Sequence, residues 1–245
     1  MVGRVPGRAG ALVAAVLLVG TACGTATSPG SPGSPGTAVA APDACGDLAA
    51  CRLLERVDVD GDGAADDVAL VSAAAPGEGV EVRVATAAGA LVTRAVPVDE
   101  WVGDGLGADA WWGSTALDGE AGEELLLLST VGAHTSWFTV LTWRDGALEV
   151  LPAPEPDEFS GGQQWWVDAS RASSAGVTVE EPGVVTWRTA LVDDALTGLD
   201  TSERTYRWEE GSWQPVGEAV TGRWSPDEPL PEGFQGWHAP GLPVL

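Results

Sequence analysis

The chain has 245 residues, enough for one large domain or two small ones. It carries 36 acidic residues against 12 basic ones, all of them arginine, and its formal net charge is −24. Such a charge repels nucleic acids and anionic lipid headgroups and attracts cations, so we expect no nucleic-acid partner.

Residues 1–22 have the features of a bacterial export signal. Arg4 and Arg8 supply positive charge, and the apolar run Ala9–Gly20 is too short to cross a bilayer as a mature helix. The run ends in Gly20-Thr-Ala-Cys23-Gly, which resembles the lipobox of bacterial lipoproteins, and the lysine-free composition resembles that of actinobacterial proteins. The resemblance implies that Cys23 is acylated and anchors the protein at the outer face of the cytoplasmic membrane.

The cysteine count favours this interpretation. With Cys23 acylated, Cys45 and Cys51 remain as a pair, and outside the cytoplasm two cysteines six residues apart predict a small-loop disulfide. The alternative is a secreted protein cleaved after Ala26 by the ordinary signal peptidase. Gly20 stands where lipoproteins most often have Leu, which leaves that alternative open.

Residues 23–44 predict a disordered tether. Its repeated Ser-Pro-Gly triplets have no apolar periodicity and cannot form a core. About 20 residues of this composition reach on the order of 25–60 Å, which suits a domain held away from a membrane. We assign 45–220 to a β-rich repeat domain and 221–245 to a C-terminal tail, whose prolines oppose regular structure and whose Trp224, Phe234 and Trp237 anchor it to the domain.

The segment from Asp58 to Asp66 places carboxylates at alternate positions around two glycines. Calcium takes six to eight hard oxygen ligands, and this spacing wraps such ligands around one point. Ala69 stands where an EF-hand has its bidentate Glu, and the run that follows the loop predicts a strand, so an EF-hand is disfavoured. The expected calcium ligands are the side chains of Asp58, Asp60, Asp62 and Asp66 and the backbone carbonyl of Ala64.

An acidic loop that runs directly into a strand resembles the FG-GAP/VCBS-type repeat of integrin-like β-propellers, whose Asp-x-Asp-Gly-Asp-Gly-x-x-Asp pattern the loop matches. The resemblance implies a structural calcium ion that fastens one blade, with no part in catalysis. The alternative is a solvated acidic turn without an ion. A weaker copy of the loop, Leu117–Glu124, lacks the first Asp, and Ala116 aligns there if one residue is inserted.

Tight turns at Gly89, Gly146 and Gly211 join runs of β-type sequence and predict hairpins. The predicted fold is mainly β, with antiparallel hairpin repeats in an incomplete or small β-propeller-like domain. A twisted sandwich or barrel is the alternative, because three units are few for a closed propeller. The three blade-sized units are 53–98, 110–153 and 163–217.

The sequence contains no recognisable catalytic motif. It has two histidines, His134 and His238, no Gly-x-Ser-x-Gly segment and too few His or free Cys residues for zinc. We therefore expect no enzyme. The expected function is that of a lipid-anchored cell-envelope protein with a calcium-stabilised β-repeat domain, which binds or scaffolds an envelope protein or a glycan.

Two alternatives to this function remain. Stacking of sugar rings on Trp112 and Trp166, one from each Trp-Trp pair, would make the protein a cell-wall glycan-binding module. Core packing is the simpler interpretation of these pairs, because the chain has twelve Trp and only three Phe. A secreted hydrolase is less favoured, and it requires two carboxyl groups about 5–9 Å apart in a concave site.

Overall fold

The computed structural model of the chain describes residues 43–72, 79–99, 102, 110–155, 163–225 and 227–243. All of these belong to one compact unit, residues 39–245. Their regular structure is β, with fifteen strands, which confirms the predicted mainly-β class. In this part of the chain no helix has the length and hydropathy needed to span a membrane. The lipobox and Cys23 lie outside the described residues.

The first sheet is a four-stranded antiparallel meander in chain order. In β3, the side chains of Val80, Val82 and Val84 are all buried, as the two-residue period of a strand predicts. One face of this sheet therefore packs on the core. Its strands are β1 (Cys51–Val57), β2 (Asp66–Ser72), β3 (Val80–Ala85) and β4 (Leu91–Val96).

The second sheet contains the other eleven strands and is built from two further meanders. The first consists of β5 (Trp111–Thr115), β6 (Glu124–Val131), β7 (Thr135–Arg144) and β8 (Ala147–Val150). The second consists of β9 (Trp165–Ala169), β10 (Ser173–Glu181), β11 (Val184–Val192), β12 (Leu199–Glu209) and β13 (Ser212–Pro215). The three predicted units therefore match three meanders.

The two meanders of the second sheet are not separate blades. Strand β9 pairs with β10 and also with β7, where Phe138 faces Trp165 across the ladder. This pairing makes one continuous sheet, which ends at β5 on one side and β13 on the other. Among the described strands these two ends do not pair, so the sheet stays open rather than closing into a barrel.

The predicted hairpin turns form as expected at two of the three glycines. Asp145-Gly146 and Glu210-Gly211 both have positive φ at each residue, the conformation of a two-residue hairpin turn. The third glycine, Gly89, lies in a wider turn between β3 and β4, which closes where the amide of Thr86 donates to the carbonyl of Ala90 at 2.8 Å.

The C-terminal tail contains two strands, so the expectation that its prolines prevent regular structure was wrong. Strand β14 (Val220–Trp224) pairs with β12, and β15 (Gly236–His238) pairs in parallel with β10. Both strands occupy proline-free stretches, where every residue keeps its N–H for the ladder. Phe234 and Trp237 are buried, as predicted for anchors of the tail.

The predicted disulfide between Cys45 and Cys51 is present. It packs against a small alanine cluster that includes Ala44. The sequence places Ala44 in the tether, but the residue is fully buried, and Arg83 donates to its carbonyl at 2.6 Å. The folded domain therefore already includes the end of the predicted tether.

Strand β6 lies between the two main cores of the domain. Leu125 and Leu127 pack with the buried valines of the first sheet, while Leu126 packs with Phe138 and Trp165 in the second core. Both faces of the strand are covered, which is why its sequence is continuously apolar. The strand begins at Glu124, so the acidic residues before it sit where the two sheets meet.

Candidate metal centre

Three carboxylates of the first acidic loop converge, as the calcium prediction requires. One oxygen from each of Asp58, Asp60 and Asp66 lies within 4.8 Å of the others. Asp66 is the first residue of β2 and is fully buried, whereas Asp58 and Asp60 are partly exposed in the loop that joins β1 to β2. The cluster of three carboxylates is therefore buried at Asp66 and open to solvent at Asp58 and Asp60.

Backbone amides fold the loop around the Asp66 carboxylate. Its Oδ2 accepts from the amides of Val59 at 2.8 Å and Asp60 at 3.3 Å. Its Oδ1 accepts from the amide of Ala87 in the β3–β4 turn at 2.8 Å. These contacts satisfy a buried charge without a cationic side chain and hold both ends of the loop together.

Asp58 organises the tip of the same loop. Its two carboxylate oxygens accept from the amides of Gly61 and Gly63, each at 2.8 Å. Both glycines have positive φ, at 77° and 86°, which side chains rarely tolerate. Asp62 stands apart from the three converging carboxylates, and its Oδ1 accepts from the amide of Ala64 at 2.7 Å. Both Asp62 and Ala64 are exposed at the tip.

The three converging carboxylates have no cationic side-chain partner among the residues that the structure describes. In the described part of the chain no arginine forms an ion pair with Asp58, Asp60 or Asp66. Desolvation raises the pKa of Asp60 above its ordinary value, and the negative charges of Asp66, Asp62 and Asp58 raise it further. A cation placed among these oxygens would reverse that repulsion.

The second acidic loop repeats the architecture of the first. Glu124 opens β6 as Asp66 opens β2, and its Oε2 accepts from the amides of Leu117 at 2.6 Å and Asp118 at 3.3 Å. The first contact spans seven residues in both loops. Ala116 therefore occupies the place of Asp58 directly, and the inserted residue that the sequence alignment required is absent.

The second loop differs from the first in having an arginine from a neighbouring strand beside its carboxylates. The guanidinium of Arg144, at the end of β7, binds the Asp118 carboxylate and lies 3.7 Å from Glu120. The hydroxyl of Thr142 donates to Glu124 at 2.9 Å. Sequence reasoning missed Arg144 because it stands twenty-six residues from Asp118 and follows no motif.

The two loops touch one another. A Cβ on Gly61 would lie 2.5 Å from the Cβ of Ala121, and one on Gly122 would lie 2.3 Å from the carbonyl oxygen of Val59. The amide of Glu123 donates to the carbonyl of Asp58 at 2.9 Å. Among the described strands β1 to β4 pair with none of the second sheet, so this backbone contact is one of the links between the sheets.

A cleft of about 570 Å³ opens beside the joined loops. Glu55 of β1 and Glu123 both line it, and the Ser114 hydroxyl donates to Glu123 at 2.7 Å. Burial raises the pKa of Glu55, Ser114 lowers it through a hydrogen bond, and the charge of Glu123 raises it. The Ser114 hydroxyl therefore contacts both of these acidic side chains of the cleft.

The tryptophans considered for sugar stacking take part in packing. The Trp112 ring meets Phe138 edge-on with a centroid separation of 5.3 Å, and Trp166 lies 5.6 Å from Trp187. Both side chains are half-buried against the second core. This agrees with the core-packing interpretation of the Trp-Trp pairs, and Trp165 is fully buried.

His134 is held in place by a buried carboxylate. Its Nδ1 lies 2.9 Å from Asp168, and the same carboxylate oxygen accepts from the hydroxyl of Thr135 at 2.7 Å. His238 pairs with the backbone carbonyl of Gln235 at 3.0 Å. Each histidine therefore has a hydrogen-bond partner within the folded domain.

Comparisons with known proteins add little. No protein-family model and no curated protein matches the chain. One solved structure, described as that of a Xanthomonas type IV secretion system related protein, has 12% sequence identity and a TM-score of 0.29. That alignment covers 67% of this chain and 93% of the other. A likeness of this size defines neither fold nor function.

Glu124 should make the stability of the protein depend on pH. Burial, followed by the charge of Asp118, raises its pKa from 4.5 to about 7. Between these values the folded state binds more protons than the unfolded state, so the free energy of unfolding falls as pH rises. From pH 5 to pH 8 the wild type should lose on the order of 3 kcal/mol of its free energy of unfolding, and Glu124→Gln should not show this loss. Urea unfolding in metal-free buffer measures both.

The exposed Glu149 provides the control, because Glu149→Gln should keep the wild-type pH dependence. Identical slopes for wild type and Glu124→Gln would contradict the role given to this buried carboxyl.

Proposed function

We propose that the protein is a non-catalytic, lipid-anchored protein of the cell envelope, whose calcium-stabilised β-repeat domain serves in binding or scaffolding. The observation that carries the calcium part is the convergence of Asp58, Asp60 and Asp66, none of which forms an ion pair with an arginine in the described part of the chain. Oxygen ligands at this density suit calcium, and all of them come from one loop, as expected of an ion that fastens structure. Asp62 and the carbonyl of Ala64 complete the proposed ligand set.

The envelope location is proposed from the N-terminal sequence. Its charged start, apolar run and Cys23 together support export followed by lipid anchoring. The disulfide between Cys45 and Cys51 is consistent with an oxidising compartment. A strongly acidic domain on a tether is repelled by anionic headgroups, which favours a position away from the membrane surface.

An envelope protein is the better supported class of partner. The glycan alternative needs an exposed indole face on Trp112 or Trp166, and both rings are engaged with the second core. The cleft beside Glu55 and Glu123 gives a binding surface of acidic character, which suits basic groups on a partner.

Calcium should raise the melting temperature of the domain. At a calcium concentration 100 times the Kd, binding adds about 2.7 kcal/mol, which for a domain of this size corresponds to about 5–10 °C. Asp60→Asn should abolish the rise because it removes one of the converging carboxylates. Differential scanning calorimetry with calcium and with chelator measures both effects.

Asp145→Asn is the matched control, because Asp145 lies exposed in a hairpin turn remote in sequence from the loop and should leave the calcium response unchanged. Melting curves of the wild type that coincide with and without calcium would overturn the proposed metal site.

Lipid anchoring should depend on Cys23. We expect Cys23→Ala to move the protein from the membrane fraction to the soluble or secreted fraction, because it removes the thiol that would carry the lipid. Fractionation with immunoblotting measures this, and Ala26→Leu, which blocks the alternative cleavage, should leave membrane retention intact. Retention of Cys23→Ala on membranes would refute the anchor.

The hydrolase alternative has one supporting observation, that Glu55 and Glu123 both line the cleft and both contact the Ser114 hydroxyl. We expect the wild type to release no reducing sugars from purified cell wall. A release that disappears in Glu123→Gln and persists in the exposed control Glu149→Gln would replace the non-catalytic proposal with an enzymatic one.

A further inference from the structure

We propose that Arg144 acts as a built-in cation of the second acidic loop, in the place that calcium takes in the first. The chain would then bind one calcium ion although it contains two loops of the same architecture. The comparison with calcium rests on the proposed function of the first loop, whereas the role of Arg144 stands on its own contacts.

The two loops share a framework, which makes their difference meaningful. In each, a carboxylate at the start of a strand accepts two successive amides, and the first contact spans seven residues. Asp60 and Asp118 occupy the same place in the two loops. The Oδ1 of Asp118 accepts from the amide of Glu120 at 2.9 Å, and the Oδ1 of Asp60 accepts from the amide of Asp62 at 3.2 Å. The acidic side chains of the two loops therefore surround equivalent space.

Strand pairing places Arg144 beside that space only in the second loop. Leu125 pairs with Leu141, as Asp67 pairs with Ala85 in the first sheet. Thr142 then corresponds to Thr86. Beyond this pair the two segments differ, because β7 continues as a strand to Arg144, whereas β3 has ended and the chain turns between Thr86 and Ala90.

The charge around Arg144 is buried and needs compensation. The Asp118 side chain is fully buried in its ion pair, and Glu124 is 2% exposed. Two neighbouring carboxyl groups at this depth repel each other strongly unless a cation is present. Arg144 supplies it from a strand end, so the second loop is complete without a metal ion.

Binding stoichiometry tests the proposal. The double variant Ala116→Asp with Arg144→Ala gives the second loop an Asp at its first position and removes the guanidinium. Isothermal titration with calcium should show two ions per chain for this variant and one for the wild type. Ala116→Asp alone should keep one ion, because Arg144 still fills the space. One ion for the double variant, or two for Ala116→Asp alone, would overturn the proposal.

A second measurement decides the matter if the double variant does not fold. In chelator, Arg144→Ala should lower the melting temperature by about 5 °C or more, because it leaves a buried carboxylate unpaired. Arg207→Ala, which removes an exposed pair with Glu181, should change it by about 1 °C or less. Equal shifts for the two variants would overturn the role of Arg144. A wild type that binds no calcium would refute the proposed function but leave this comparison intact.

Discussion

The structure depends on a buried carboxylate at the start of a strand. Asp66 and Glu124 each accept two amides from the loop that precedes them, and this contact closes the loop against the sheet. A buried carboxylate with such donors is stable as an acceptor but concentrates negative charge in its surroundings. In the second loop Arg144 pairs with Asp118, whereas among the described residues no arginine pairs with Asp58, Asp60 or Asp66 of the first.

The position of the two loops makes them part of the contact between the sheets. They touch through Gly61 and Gly122, where a side chain would collide with the opposite backbone, and they lie where the first sheet meets the second. Strand β6 starts at Glu124 and has its leucines in both cores. A change of charge in either loop should therefore alter the packing between the two sheets. The acidic cleft beside Glu55 lies next to the same contact.

Much of the fold was predictable because it follows from local sequence. Alternating valines in β3, glycines in two-residue turns and paired cysteines act over a few residues, and the structure has each of them. The pairing of β9 with β7 was not predictable, since it joins segments about thirty residues apart without a shared motif. The tail strands were missed for a related reason. Proline removes a hydrogen-bond donor only at its own position, and the proline-free stretches beside it pair with β12 and β10.

The sequence by itself determined the mainly-β class, the three hairpin units and the acidic loop of Asp58, Asp60 and Asp66, because spacing along one chain segment dictates which residues can meet. Only the tertiary structure decided that the second loop follows the register of the first and that Arg144 pairs with Asp118. That arginine arrives from another strand, and its distance from Asp118 depends on strand pairing and burial. Local patterns carry no record of such a meeting, which is why the sequence did not show that Arg144 pairs with Asp118 while, among the described residues, no arginine pairs with the carboxylates of the first loop.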